Sequence, residues 1–298
     1  MSGNKKRIYL SSACLRQARI GGIVEVLARN GVRNIELTGG TRYYDRYVED
    51  LAELKRRCAL NYIVHNYFPP SGKDFVLNLA SSDRGIAEGS LRHTMRAVDD
   101  CVSLGSPFYA VHAGFFIDLK SSELGRPLTG RRALKDVDRK TDIFIKNFKR
   151  MERFAEDRGV TLYIENNVYA RMPRGIRTKK LPFMLVAYDD YAALRKRLGF
   201  RLLLDLAHLK ISCRTLGLEF REEAQKFFDT DEVEYLHVSE NDGRSDSHMP
   251  PADDSDICDM LPQVPKTAKT ITLEVRGRRF GEVLDSYNRI RKLLGSKK

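Results

Sequence analysis

The sequence predicts an α/β protein of one domain, a closed (β/α)8 barrel, and three observations predict it. Eight short apolar segments rich in β-branched and aromatic residues recur along the chain, stretches with helical spacing of apolar positions lie between them, and every long connection follows a strand. Strands that alternate with helices pair in parallel, because each return crosses over a helix, and eight such units are the number that closes into a barrel.

In chain order the strands are read at RIYLSS 7–12, NIELT 34–38, NYIVHNY 61–67, FYAVHAG 108–114, TLYIENN 161–167, RLLLDLAH 201–208, EYLHVSE 234–240 and TITLEV 270–275. Helical spacing is read at 19–30, 46–59, 84–104, 138–158, 188–198, 219–229 and 280–294, with a weaker helix somewhere in 255–264. Gly31, Gly105, Gly159 and Gly199 stand at or just beyond the ends of four of these helices, where a left-handed terminator is often needed. No phosphate-binding glycine loop follows a strand and no internal repeat is evident, which disfavours the open-sheet nucleotide folds. No proline-, glycine- or serine-rich linker divides the chain, so residues 1–298 are read as a single TIM-barrel domain. The long loops 67–83, 113–137, 167–187 and 240–256 all belong to the C-terminal mouth, where the chemistry of this fold is found.

Composition narrows the class. A hydrophobic fraction of 42% with 14 Phe and 13 Tyr fills a sizeable interior, and 31% charged residues make an ordinary soluble surface. No run approaches the roughly 20 apolar residues of a bilayer span, and the opening MSGNKKRIYLSS lacks a signal-peptide core, so a cytoplasmic protein without a membrane partner is expected. The five cysteines, Cys14, Cys58, Cys101, Cys213 and Cys258, are scattered with no CxxC pair, which argues against a disulfide framework or a thiolate zinc site. A formal charge of +12 favours anionic partners: nucleic acid, a phosphorylated sugar and a nucleotide-linked sugar all remain open, as does plain solvated surface charge.

One local grammar recurs at strand ends: about three apolar residues, then a metal-capable side chain. It reads YIV-His65, YAV-His112, LYI-Glu165, LLL-Asp205 and ITL-Glu274, with the shorter YL-His237. In a barrel these positions share one mouth, and converging carboxylates and imidazoles suit zinc, manganese, magnesium or iron. Of the six histidines, five (His65, His112, His208, His237 and His248) lie at or just beyond strand ends, while His93 falls in a helix and is read as structural. A single one of them is commonly a satisfied core imidazole; the set requires several coincidences. Asp205 closes its strand with His208 three residues on, and Asp246 and His248 form an Asp-x-His pair close enough to share an ion.

Through VH 64–65, NLASSD 78–83, VHAG 111–114, IEN 164–166, LDLAH 204–208, HVSENDGRSDSH 237–248 and LEV 273–275, nearly the whole chain resembles the xylose-isomerase-like barrels. That superfamily includes sugar-phosphate isomerases and epimerases and the endonuclease IV type of abasic-site nuclease. In the isomerase and epimerase branch the resemblance implies one divalent ion on Glu165, Asp205, His237 and Glu274. Glu165 and Glu274 would then be the acid/base pair around a metal-stabilised enediolate: one glutamate gives isomerisation, two on opposite faces give epimerisation. His208, Glu240, Arg276 and Asn66 are the implied substrate contacts, and Glu36 is expected to line the mouth. In the endonuclease branch three zinc ions are implied: His65, His112 and Glu165 for one, Glu165, Asp205, His237 and Glu274 for the second, and His208, Asp246 and His248 for the third.

Departures count against the nuclease. VHAGF lacks that branch's proline between the histidine and glycine, the stretch after IEN lacks its glycine-glutamine-glycine turn, and no tryptophan is present to insert into a duplex. MPPADD, after His248, lacks a Gly-x-Gly found in many members of both branches. The expected function is therefore a divalent-metal-dependent isomerase or epimerase of a small anionic or phosphorylated sugar. A multi-zinc phosphodiesterase acting on abasic DNA comes second and a non-catalytic metal-binding barrel third, with one to three ions in the site. The basic loop RMPRGIRTKK 171–180 would sit beside the mouth, where Arg171, Arg174, Arg177 and Lys179 could hold a substrate phosphate or carboxylate or a nucleotide carrier, the alternative being an exposed basic loop.

Overall fold

A computed structural model describes residues 6–72, 75–124, 126, 134–170, 181–276 and 279–295. Strands β1 (Arg7–Ser11), β2 (Asn34–Leu37), β3 (Asn61–His65), β4 (Phe108–His112), β5 (Thr161–Glu165), β6 (Arg201–Asp205), β7 (Val233–Val238) and β8 (Thr270–Leu273) pair in parallel in chain order, and β1 closes on β8. The helices are α1 (Ile20–Arg29), α2 (Tyr47–Cys58), α3 (Arg84–Leu104), α4 (Val137–Glu156), α5 (Tyr188–Arg195), α6 (Leu206–Leu216), α7 (Phe220–Phe228), α8 (Asp256–Met260) and α9 (Phe280–Gly295). The eight-stranded barrel read from the sequence is thus the fold. Among the described residues no helix is long and apolar enough to cross a membrane.

Two details of the reading need correction. Four of the strands stop at the metal-capable residue itself, at His65, His112, Glu165 and Asp205, and the residues after them belong to the mouth. The stretch taken as strand up to 208 also turns into α6 at Leu206. Its cap is Asp205, whose carboxylate accepts from the His208 amide at 2.8 Å, so strand passes into helix with no loop to mark the change. The apolar run from Leu202 contains no breaker, which is why periodicity alone overlooks α6. It ends at Gly217, whose φ of 74° lies in the left-handed region.

Side chains alternate across each strand with period two. The outward set, with Leu10, Ile35, Val64, Val111, Ile164, Leu204 and Leu236 among it, packs against the inner faces of the helices. The inward set fills the barrel: Tyr9, Ile63, Phe108, Ala110, Tyr163, Leu203 and Tyr235 form one buried cluster. Two residues further along β3 to β7 come His65, His112, Glu165, Asp205 and His237, one layer nearer the mouth. The barrel is a packed plug with a polar lid.

Gly114, just past β4, shows how tightly the mouth is joined to the helical layer. A Cβ there would lie 2.5 Å from Ala80 Cβ, 3.0 Å from Met184 Sδ and 3.1 Å from Phe144 Cδ2. Only glycine lets these three walls meet. Gly114→Ala is expected to cost about 1–3 kcal/mol of stability as overpacking. Urea unfolding should show a lower midpoint at unchanged slope, and a midpoint equal to that of the parent protein would mean that the walls yield freely.

Candidate metal centre

The β-strand period and the barrel register bring the polar side chains together. Glu165 is paired with His112 across β4 and β5, and Asp205 with His237 across β6 and β7. Glu274 follows the end of β8, where its amide donates to the Val238 carbonyl and keeps it in line with the strand tops. Glu165, Asp205 and His237 are wholly buried, and His65, His208, His248 and Glu274 nearly so.

Two ligand groups share one carboxylate. His65 Nε2 lies 2.7 Å, and His112 Nδ1 3.0 Å, from Glu165 Oε2. On the other side, His237 Nδ1 lies 3.4 Å from Glu165 Oε1, 3.7 Å from Asp205 Oδ2 and 3.1 Å from Glu274 Oε2. Within each group, His65–His112–Glu165 and Glu165–Asp205–His237–Glu274, the ligand atoms all lie within 4.8 Å of one another. A third set gathers on Asp246, with His248 Nε2 at 3.0 Å and His208 Nε2 at 3.4 Å from its Oδ2.

Hydrogen bonds behind the rings choose which nitrogen faces inward. His208 Nδ1 lies 3.0 Å from the Asn166 carbonyl and His248 Nδ1 3.2 Å from the Glu274 carbonyl. A carbonyl only accepts, so both rings carry a proton at Nδ1 and turn Nε2 toward Asp246. Asn166 also fixes Asp205, accepting from its amide at 2.6 Å and donating to its carbonyl at 3.0 Å. The IEN signal of the sequence contains this residue, but only the fold shows that it brackets Asp205 and His208 together.

The residues fit a divalent cation. Glu165 Oε1, Asp205 Oδ2 and His237 Nδ1 are buried without a hydrogen-bond partner and converge on one point. An orphaned buried polar atom costs about 1–3 kcal/mol, and three of them aimed at one another are the donor set that zinc or manganese takes. Without an ion the side chains trade charge. Burial pushes the Glu165 carboxyl up, but His112, His65 and His237 hold it well below the usual range. Burial likewise disfavours a charged His208, yet Asp205 and Asp246 raise it well above an ordinary imidazole. Against the pull of burial, Asp246 and Glu274 carry His248 up to about 9.

Above this layer opens a cavity of about 800 Å³, reached by His65, Asn66, His112, His208, His248 and Glu274, with Arg126 and Arg276 on its wall. Asn66 Oδ1 also accepts from the His112 amide at 3.0 Å, and the Arg276 amide donates to the His248 carbonyl at 2.6 Å. Tyr67, Phe75, Phe115 and Phe183 add aromatic wall that the strand-end pattern gave no means of finding. Arg171, Arg174, Arg177 and Lys179 lie outside the described residues. Two expected substrate contacts are elsewhere. Glu36 lies one layer beneath the mouth, fully buried, 2.8 Å from His237 Nε2. Glu240 is held by Lys210 at 2.7 Å and is not on the cavity wall.

Solved structures share the architecture. A D-tagatose 3-epimerase-like protein superposes with a TM-score of 0.72 at 16% identity, over 97% of this chain and 97% of its own. The apo form of 3-keto-D-glucoside 4-epimerase from E. coli gives 0.68 at 12% identity, over 97% and 100% of the two chains. Endonuclease IV from Thermus thermophilus gives 0.58 at 15% identity, over 97% and 98%. At such identities the likeness shows the fold alone, and no curated protein matches the sequence. The family model described as xylose isomerase-like TIM barrel matches residues 24–288, so with its closed barrel and buried Glu, Asp and His cluster the chain belongs to the xylose isomerase-like TIM-barrel family.

Proposed function

We propose that the chain is a metal-dependent enzyme with a multinuclear centre that hydrolyses a phosphate ester small enough to enter the cavity above it. One observation carries this reading: both oxygens of Glu165 are committed to ligand groups, Oε2 to His65 and His112 and Oε1 to the side of Asp205 and His237. A two-base epimerase needs a glutamate oxygen presented to substrate from each face. Glu165 is fully buried and absent from the cavity wall, and its two oxygens face two groups of residues that would each hold a cation. Hydrolysis therefore ranks ahead of the isomerisation or epimerisation expected from sequence.

Cations bound here would supply Lewis-acid stabilisation of charge developing on phosphate oxygens and a water acidic enough to react at neutral pH. The protein supplies the rest. His65, His112, Glu165, Asp205, His237 and Glu274 would hold the two inner positions, and His208, Asp246 and His248 the third. Arg276 and Arg126, on the cavity wall, are suited to bind the anionic group and orient it toward the polar layer. Glu274, the carboxylate of the four-residue group that reaches the cavity, is placed to take a proton from that side. The excess of basic residues raises the local concentration of an anionic substrate.

One observation favours a second reading. Glu274 alone faces the cavity as a carboxylate of the four-residue group, and a single base beside one cation is enough for aldose–ketose isomerisation of a sugar phosphate.

Three measurements separate these readings. Elemental analysis of protein purified without chelator should find about two to three divalent ions per chain. That number should fall by one in the His65→Ala, His112→Ala double variant; a single ion unaffected by the double variant would favour isomerisation. The loaded enzyme should also release p-nitrophenol from mono- or bis(p-nitrophenyl) phosphate, with turnover falling roughly 100-fold or more in Glu274→Gln. Deuterium uptake from solvent into a sugar phosphate, with no phosphate or p-nitrophenol release, would overturn the hydrolytic reading.

A further inference from the structure

A carboxylate in the middle of a barrel is costly to bury, and Glu36 is 0% exposed. It stands on β2, paired with Ile63 of β3, in the layer below the polar mouth and outside both ligand groups. A single oxygen, Oε2, gathers all of its contacts. The Tyr235 hydroxyl donates to it, Thr272 Oγ1 donates to it at 3.1 Å, and His237 Nε2 lies 2.8 Å away. Tyr235 and Thr272 are themselves 3.0 Å apart. These partners come from β7 and β8, so four side chains on three strands meet at one oxygen atom.

The effect on His237 is specific. Its Nε2 is turned down into this cluster, and its Nδ1 is turned up, orphaned, toward Glu165, Asp205 and Glu274. A carboxylate accepts a proton from the ring and does not give one, so Glu36 selects the form of the imidazole that carries hydrogen at Nε2 and offers a lone pair at Nδ1. The tyrosine and threonine hydroxyls point their hydrogens at the same oxygen and leave it no freedom to swing away. Each is one strand period below a ligand: Tyr235 below His237, and Thr272 below Glu274.

We infer that Glu36, locked by Tyr235 and Thr272, is a positioning residue that presents His237 Nδ1 to the inner cation site and sets the affinity of that site. The inference rests on the metal-centre reading above and deepens it, because it names the support on which one ligand group depends while the His65–His112 group does not.

The test is direct metal binding, by competition of apo protein with a chromophoric zinc chelator, on the parent protein and on Glu36→Gln, Glu36→Ala and Tyr235→Phe. Loss of such a support typically costs roughly 10–100-fold in metal affinity. Glu36→Ala should weaken one zinc equivalent by about that much and leave the others unmoved, with Glu36→Gln, which keeps an acceptor for the ring, between it and the parent. Long-range nitrogen NMR of zinc-loaded parent protein should show His237 protonated at Nε2. If a Glu36→Ala chain is too unstable to study, Tyr235→Phe carries the same comparison with a smaller loss. Parent-like zinc affinity in Glu36→Gln and Tyr235→Phe, with only the melting temperature lowered, would overturn the inference while the metal reading stands. A parent protein that binds no zinc would remove both.

Discussion

Glu165 brings a negative charge into the driest part of the molecule, with zero exposure and four imidazoles within 3.6 Å of its two oxygens. Everything else at the mouth is arranged around that fact. A lone buried carboxylate would neutralise itself by taking up a proton. Here His112, His65 and His237 hold its carboxyl well below the usual range despite burial, and its two oxygens face two different sets of partners. The barrel makes such crowding possible because His65, His112 and His237 each arrive on a separate strand, held by backbone ladders that do not depend on the side chains, and His208 arrives on the first turn of α6.

Around this centre the supporting bonds follow a consistent rule. Wherever a ring nitrogen of His208, His248 or His237 faces away from the cluster, an acceptor waits for it: the Asn166 carbonyl behind His208, the Glu274 carbonyl behind His248 and the Glu36 carboxylate behind His237. Two of those acceptors are backbone atoms of residues that neighbour or belong to the ligand groups. The site therefore holds its own geometry through the same strand ends that supply its ligands, and a rotation of one ring disturbs the next. Asn166, with bonds to both faces of the Asp205 backbone, ties β5 to β6 at the level where both contribute.

The cavity above has a different character. Aromatic side chains from the connections after β3, β4 and β5 form much of its wall, while Arg126 and Arg276 bring positive charge to it. Loops that can vary without touching the barrel thus define what reaches the polar layer, and the layer defines what can happen there. Asn78 shows how such a loop is secured: its side chain accepts from the Ala80 and Phe115 amides and donates to the Phe115 carbonyl and to Asp118.

By itself the sequence determined the barrel and which polar residues gather at its mouth. Eight apolar runs of period two, each followed by helical spacing, admit few other closures, and the recurrence of His, Asp or Glu after about three apolar residues marks strand tops directly. Those signals are local and repeat, so they survive without coordinates. Three features were decided only by tertiary structure. Helix α6 was hidden because its cap, Asp205, is also the last residue of β6. Glu36 looked like a mouth residue from its place in NIELT, yet the two-residue period puts it one layer lower, under His237, a partner 201 positions away. The resemblance already implied Glu165 in two ligand sets of the endonuclease branch, but which of its oxygens faces which set, the observation behind the proposed hydrolysis, is fixed by its rotamer. Register and rotamer settle such matters through contacts between residues far apart in the chain, and no local pattern of residue types encodes them.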